Sequence, residues 1–318
     1  MNQSFKKALT GSLMLLLATF FWGSTFVAQS SAAEKILPFT YLCARSFVGA
    51  FALLLVILLR ALFTAKKAKR SFAAEWRRLF DKKTLWGGLF CGIALTVASA
   101  FQQYGIHLGA SAGDAGFLTA VYMFIVPLLG FLFYRKKVTL NVLFGAVITA
   151  VGLYFLCIRG QEQSGFGLGQ ALILCCAFAY ALHIMIIDRY ERVDPIVLSF
   201  LQFLVAGILS LVVALIFEAP SLQTVTGAWF PILYAGIFSS AVAYTLQISG
   251  QQRTPPALAS VLMSMESVIA LLSEWFCAFT GIFGSRFALS FNQIFGCALA
   301  FCGIVIAQLV FKPKKSAK

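Results

Sequence analysis

Charge is scarce in this chain. Only 11% of its 318 residues are Asp, Glu, Lys or Arg, against roughly 25% in soluble domains. A sequence that is 60% hydrophobic, with a mean hydropathy of +0.90, cannot cover a water-soluble surface. It is read as an integral membrane protein. Acidic residues are scarcer than basic ones, 11 against 25, which leaves a net charge of +14. That excess could suggest nucleic acid as a partner. Basic residues also gather in the cytoplasmic loops of membrane proteins, and this explanation is preferred. Histidine occurs only at His107 and His183, and the eight cysteines sit in apolar runs without C-x-x-C spacing. These features exclude a recognisable metal centre, redox pair or disulfide framework, and the cysteines read as small apolar residues. The sequence has no phosphate-binding P-loop and no nucleophile–base constellation. Its composition therefore disfavours a primary pump or a membrane hydrolase, and no cofactor is expected.

Long apolar runs are abundant. About 20 apolar residues span a bilayer as a helix. Ten runs qualify: 9–29, 39–63, 85–107, 112–133, 140–158, 168–187, 196–217, 229–249, 256–279 and 289–311. They are too long and too evenly apolar for barrel strands, so the expected fold class is all-α integral membrane. The first run follows Lys6 and Lys7, and Ser30–Ala33 resembles a cleavage site. Its length of some 19 residues nevertheless exceeds a signal-peptide core, and it is read as a retained helix. With the N-terminus in the cytoplasm, 21 of the 25 basic residues fall on the cytoplasmic side. Lys35, Arg159 and Arg286 fall outside, and Arg45 lies within a helix. This asymmetry is a strong positive-inside signal. It places both termini in the cytoplasm of a multi-pass protein of the inner membrane. Phe72, Trp76, Leu79 and Phe80 recur at helical spacing among basic residues, so segment 64–84 is expected to be a cytoplasmic amphipathic helix. A plain solvated loop is nearly as good a reading.

The two halves of the chain repeat. Segment 115–132 aligns without a gap on segment 259–276: Ala115 meets Ala259, Leu118 meets Leu262, Ile125 meets Ile269, and Tyr122 meets Glu266. Gln103 likewise corresponds to Gln247, and Gly145 and Gly152 to Gly296 and Gly303. Each half, 1–158 and 168–311, then holds five helices. An odd number of crossings inserts the second copy upside down, which is the inverted-repeat architecture of many secondary transporters.

At WGSTFVA (22–28), LPFTYLCARSFVGA (37–50), AGDAGFLTAVYMFIVPLLG (112–130) and AYTLQISGQQRTPPALASVLMSMESVIALL (243–272), the sequence resembles the drug/metabolite transporter superfamily, in its ten-helix EamA-type branch. The resemblance covers essentially the whole chain. It implies two five-helix repeats around a central cavity, with the fifth and tenth helices peripheral, and export or exchange of small metabolites, amino acids or drugs. The chain departs from that pattern at Glu274, at Phe279–Thr280 and at Arg135–Lys136, where relatives carry glycine, Gly-Glu and an acidic residue.

Candidate site residues follow from polarity inside apolar runs. Carboxylates near a bilayer centre cost about 2.5–3.5 kcal/mol on insertion scales and usually face a polar interior. Glu266 and Tyr122 lie about ten residues into their helices, near the midplane. Glu266 could carry a proton and couple it to substrate, or it could be held by Tyr122 for packing. The two readings are evenly balanced. Gln103 and Gln247 should face the interior, and Trp22, Tyr104, Tyr180 and Tyr244 could line a site for an amphipathic solute. Arg45 and Glu274 lie at similar outer depth and could pair. Asp114 is a second possible partner for Arg45, although a helix cap is its preferred role. For Arg45 a structural or gating role is favoured over substrate contact. The expected function is a secondary transporter, an exporter of small organic solutes, acting by alternating access with optional proton coupling. The lipid bilayer, a small-molecule substrate and, in the coupled scheme, protons are its expected partners. The alternative is a membrane enzyme or a non-transporting metabolite receptor on the same fold.

Overall fold

The architecture was analysed in a computed structural model that describes residues 3–69, 71–110, 112–157, 167–280 and 290–309. Arg159, Arg286 and the lysines from Lys312 onward lie outside these residues, as does the side chain of Asp114. The described residues are helical and contain no strand. Among the described residues, nine spans are long and apolar enough to cross a membrane, and Leu140–Leu156 supplies a shorter apolar helix.

The first half comprises α1 (Gln3–Ala33), α2 (Pro38–Lys67), the short α3 (Phe72–Leu79), α4 (Lys82–His107), α5 (Ala112–Ala120), α6 (Tyr122–Tyr134) and α7 (Leu140–Cys157). The second half comprises α8 (Leu168–Arg189), α9 (Pro195–Phe217), the short α10 (Leu222–Gly227), α11 (Trp229–Tyr234), α12 (Tyr244–Gln251), α13 (Pro256–Met263), α14 (Glu266–Thr280) and α15 (Phe291–Gln308). A π-helical stretch, Ala235–Ala243, joins α11 to α12. The fourth and ninth spans are thus each two helices, α5–α6 and α13–α14, where the sequence reads as one unbroken run.

Packing follows a two-fold pattern. α2 lies along α9, and α7 along α15. α4 packs on α8 as the π segment and α12 pack on α1, while α5 and α6 flank α8 as α13 and α14 flank α1. Each half therefore completes its core with elements of the other. Lipid tails are as apolar as leucine, so the hydrophobic effect contributes little to helix association within the bilayer; close packing and interhelical hydrogen bonds carry it. At the α7–α15 crossing, a methyl group added to Gly152 would sit 2.8 Å from the Gly296 carbonyl oxygen, and one added to Gly296 would sit 2.6 Å from that of Gly152. Only glycine admits backbones this close. Outside this bundle, Phe51, Phe63, Phe133, Phe217 and Phe291 are exposed, as a lipid-facing surface requires.

Hydrogen bonds clamp the α2–α9 pair at both ends. Leu37, at the start of α2, cannot cap it with its side chain. The carboxylate of Glu218, just past α9, does so instead: it accepts from the Phe39 and Thr40 amides at 2.9 and 2.7 Å and from the Thr40 hydroxyl at 2.8 Å. At the opposite end Asp194 caps α9 through the Ile196 and Val197 amides at 3.0 and 3.2 Å, and pairs with Arg60 of α2 at 2.8 Å. Replacing Glu218 by alanine leaves the first amides of α2 without their acceptors. The expected cost is about 1–2 kcal/mol, readable as a lower melting temperature in detergent, with Glu218→Gln intermediate.

α3 shows the predicted amphipathic spacing, and Ser71 caps it. Its aromatic face continues inward, with Trp76 against Phe80 at a ring separation of 4.5 Å and Phe80 against Phe200 of α9 at 6.1 Å. α3 thus docks on the bundle. Nearby Asp81 caps α4 through the Thr84 amide at 2.8 Å. Hydrogen bonds from Thr84 hold the Asp81 carboxyl below its ordinary value.

Candidate functional site

The helix interruptions fall at equivalent places. Val121 separates α5 from α6, and Ser264 and Met265 separate α13 from α14, so Tyr122 and Glu266 each open the second half of their span. Both breaks replace the normal i−4 bond with a tighter i−3 one: the Val121 amide bonds the Leu118 carbonyl at 3.3 Å, and the Met265 amide bonds that of Leu262 at 3.3 Å. Pro127 inside α6 removes a further amide less than two turns past the first break. At the second break the Ser264 hydroxyl bonds back to the Val261 carbonyl at 2.7 Å, a contact that bends helices. Discontinuous spans near the midplane are where transporters of inverted-repeat architecture build their sites.

A narrow central cavity of about 40 Å³ lies at these breaks. Its wall includes Trp22, Phe26 and Gln29 from α1, Arg45 from α2, Gln102 from α4, Thr119 and Tyr122 from the fourth span, and Tyr180 and Ile184 from α8. Ser239 of the π segment, Tyr244 and Gln247 of α12, and Met263 and Glu266 of the ninth span complete it. π-helical stretches recur at functional sites, and this one ends where Tyr244 begins.

Tyr122 and Glu266, paired by the repeat, meet across the cavity, where the Tyr122 hydroxyl donates to Glu266 Oε1 at 3.3 Å. Glu266 is 7% exposed, and no Lys, Arg or His among the described residues pairs with it. Close by, the Ser267 hydroxyl donates to the Gly116 carbonyl at 2.9 Å, tying α14 to α5. Tyr244 stacks edge-on to Trp22 at 4.9 Å and also touches the rings of His183 and Phe203. His183 is fully buried behind this wall, with Nε2 at 3.0 Å from Gln202 Oε1. Ser99, Tyr180, Gln102 and Thr119 form a polar chain with contacts of 3.2–3.5 Å.

Three candidate residues lie elsewhere. Gln103 faces α1 and accepts from Gln29 Nε2 at 3.1 Å. Tyr104 lies near the far end of α4, against Phe39, with its hydroxyl 3.4 Å from Glu218. Glu274 is exposed on α14, eight residues or about 12 Å beyond Glu266. No ion pair joins Arg45 to Glu274: Arg45 points into the cavity and Glu274 away from it. Gln29, Gln102, Thr119 and Ser239 line the cavity without having been singled out in the sequence. Gln102 was signalled by its polarity within an apolar run, but the repeat alignment directed attention to its neighbour Gln103.

The long apolar helices define a multi-pass membrane protein. The EamA-like transporter family matches residues 9–158 and 167–309, so the chain belongs to that family. It is 30% identical over 267 residues to an uncharacterized transporter of Archaeoglobus fulgidus, covering 84% of this chain and 77% of that protein. It is 23% identical over 310 residues to the uncharacterized transporter YoaV of Bacillus subtilis, covering 95% and 98% of the two chains. A solved protein crystal structure superposes with a TM-score of 0.73 at 20% identity, over 95% of this chain and 99% of that one, a likeness of fold. A transporter of this family acts on small-molecule substrates across a lipid bilayer.

Proposed function

We propose that the protein is a secondary carrier that exports small organic solutes across the inner membrane by alternating access, with a proton on Glu266 as the coupling ion. The observation that supports this reading is the cavity. It is shared by the two halves, sits where both broken spans are interrupted, and holds a buried carboxyl group whose one side-chain partner among the described residues is a tyrosine hydroxyl. Such a group can take up and release a proton within the membrane without first breaking an ion pair.

The basic asymmetry supports cytoplasmic termini. On the basic face, Lys136 bonds Asp188, joining the ends of α6 and α8. Gln251 and Gln252, at the end of α12, donate to the Ile184 and Val193 carbonyls at 3.1 and 2.8 Å. The Lys136–Asp188 contact ties one half to the other and is a contact that inward opening would break, whereas the Gln251 and Gln252 bonds brace the second half internally.

The test is reconstitution into liposomes with an imposed pH gradient and labelled amino acids, aromatic acids and organic cations. Uptake driven by an acidic exterior or interior, and abolished by collapsing the gradient, is the expected result. Binding without any solute movement would instead favour a non-transporting receptor.

A further inference from the structure

Among the described residues, Arg45 is a charged group without a counter-ion. It lies on α2, is 4% exposed and borders the central cavity. Among the described residues no carboxylate pairs with it, and its Nε–H has no acceptor. Its close neighbour is the Tyr41 ring, 5.6 Å from the guanidinium carbon. That contact stabilises a cation but gives no anionic partner. A buried charge is tolerated when it is paired and hydrogen-bonded; here the cavity side of the guanidinium is left for something else.

Two further features define what would fit. On the same cavity wall the Trp22 Nε1–H also lacks an acceptor and Gln247 Oε1 lacks a donor, so two N–H donors and one amide oxygen stand unsatisfied among the lining residues. Arg45 is also the only Lys or Arg among the residues lining the cavity. One guanidinium balances one negative charge, which suits a carboxylate and leaves a phosphate dianion under-neutralised. Within the wall, Phe26, Trp22 and Tyr244 offer aromatic faces to an apolar body. Tyr244 lines the cavity together with Arg45 and Glu266.

We infer that Arg45 is a specificity-determining residue: it holds the carboxylate of an organic monocarboxylate substrate whose apolar part rests on the aromatic wall. This rests on the cavity being the transport site. A carboxylate is recognised by guanidinium in a bidentate geometry that lysine cannot reproduce.

The test uses the full-length protein in detergent, with ligand-induced shifts in melting temperature and titration calorimetry. The probes are phenylacetate, benzoate and hexanoate, each against its neutral amide, with benzylamine as the cationic counterpart. Wild-type protein should be stabilised by at least one carboxylate and not by the matching amide or by the amine. Arg45→Gln should weaken that carboxylate at least about tenfold, the loss expected for one charge-assisted contact, and Arg45→Lys should restore part of it. Unliganded melting curves and gel filtration establish that both variants fold, and Arg45→Lys keeps the test open if Arg45→Gln does not. The inference is overturned if no carboxylate binds, if the amides bind equally well, or if Arg45→Gln retains the response. Carboxylate binding that depends on Arg45 but is never followed by transport in liposomes leaves this inference standing and contradicts the carrier reading instead.

Discussion

Glu266→Gln should abolish uphill transport while leaving exchange intact. Glutamine keeps the volume of the side chain and can still accept from the Tyr122 hydroxyl, now 3.3 Å from Glu266 Oε1. What it loses is the exchangeable proton. In liposomes with a pH gradient, concentrative uptake should fall to the level of protein-free vesicles. Counterflow of labelled against unlabelled solute at equal pH should continue at a comparable rate. Tyr122→Phe removes the hydrogen bond and leaves the carboxyl, so it should shift the pH dependence of uptake without abolishing it. If Glu266→Gln accumulates solute as the wild type does, the carboxyl is a packing group and coupling lies elsewhere.

The second large effect is structural. Gly152→Leu places a branched side chain where even a methyl group would lie 2.8 Å from the Gly296 carbonyl oxygen. The α7–α15 contact cannot close around it. Overpacking of this kind costs about 1–3 kcal/mol in a well-packed interior, and here both partners are backbone, so the upper end or beyond is expected. The melting temperature in detergent should drop sharply, and expression in the membrane should fall with it. Because neither α7 nor α15 contributes a residue to the cavity wall, ligand affinity per folded molecule should stay unchanged. A variant that melts normally but binds weakly would reverse this division between scaffold and site.

The ten spans, the repeat and the Tyr122–Glu266 pairing could be read from sequence because each rests on hydropathy or register, which survive in one dimension. The helix breaks could not. Residues 115–132 are apolar through the first interruption, and at the second Ser264, Glu266 and Ser267 mark polarity but not a break; a change from i−4 to i−3 bonding at Val121 or Met265 leaves hydropathy untouched. The same limit applies to rotation about a helix axis. Gln102 and Gln103 are adjacent, 100° apart on α4, and only packing against α1 and α8 decides that Gln102 meets the cavity while Gln103 meets Gln29. Tyr104, three residues from the end of α4, directs its hydroxyl to Glu218, a residue 114 positions away, rather than to the cavity. Arg45 and Glu274 share a depth but not a direction, and depth was all the sequence supplied.

The central claim is that one cavity is opened in turn to the two sides of the membrane. It is tested most directly by replacing Thr119, on the cavity wall, with cysteine in a background from which the eight native cysteines have been removed. A membrane-impermeant maleimide is then applied to right-side-out and to inside-out vesicles. Labelling in both orientations, with rates that shift in opposite directions when the pH gradient is reversed, is the predicted result. Labelling confined to one orientation under every gradient would contradict alternating access.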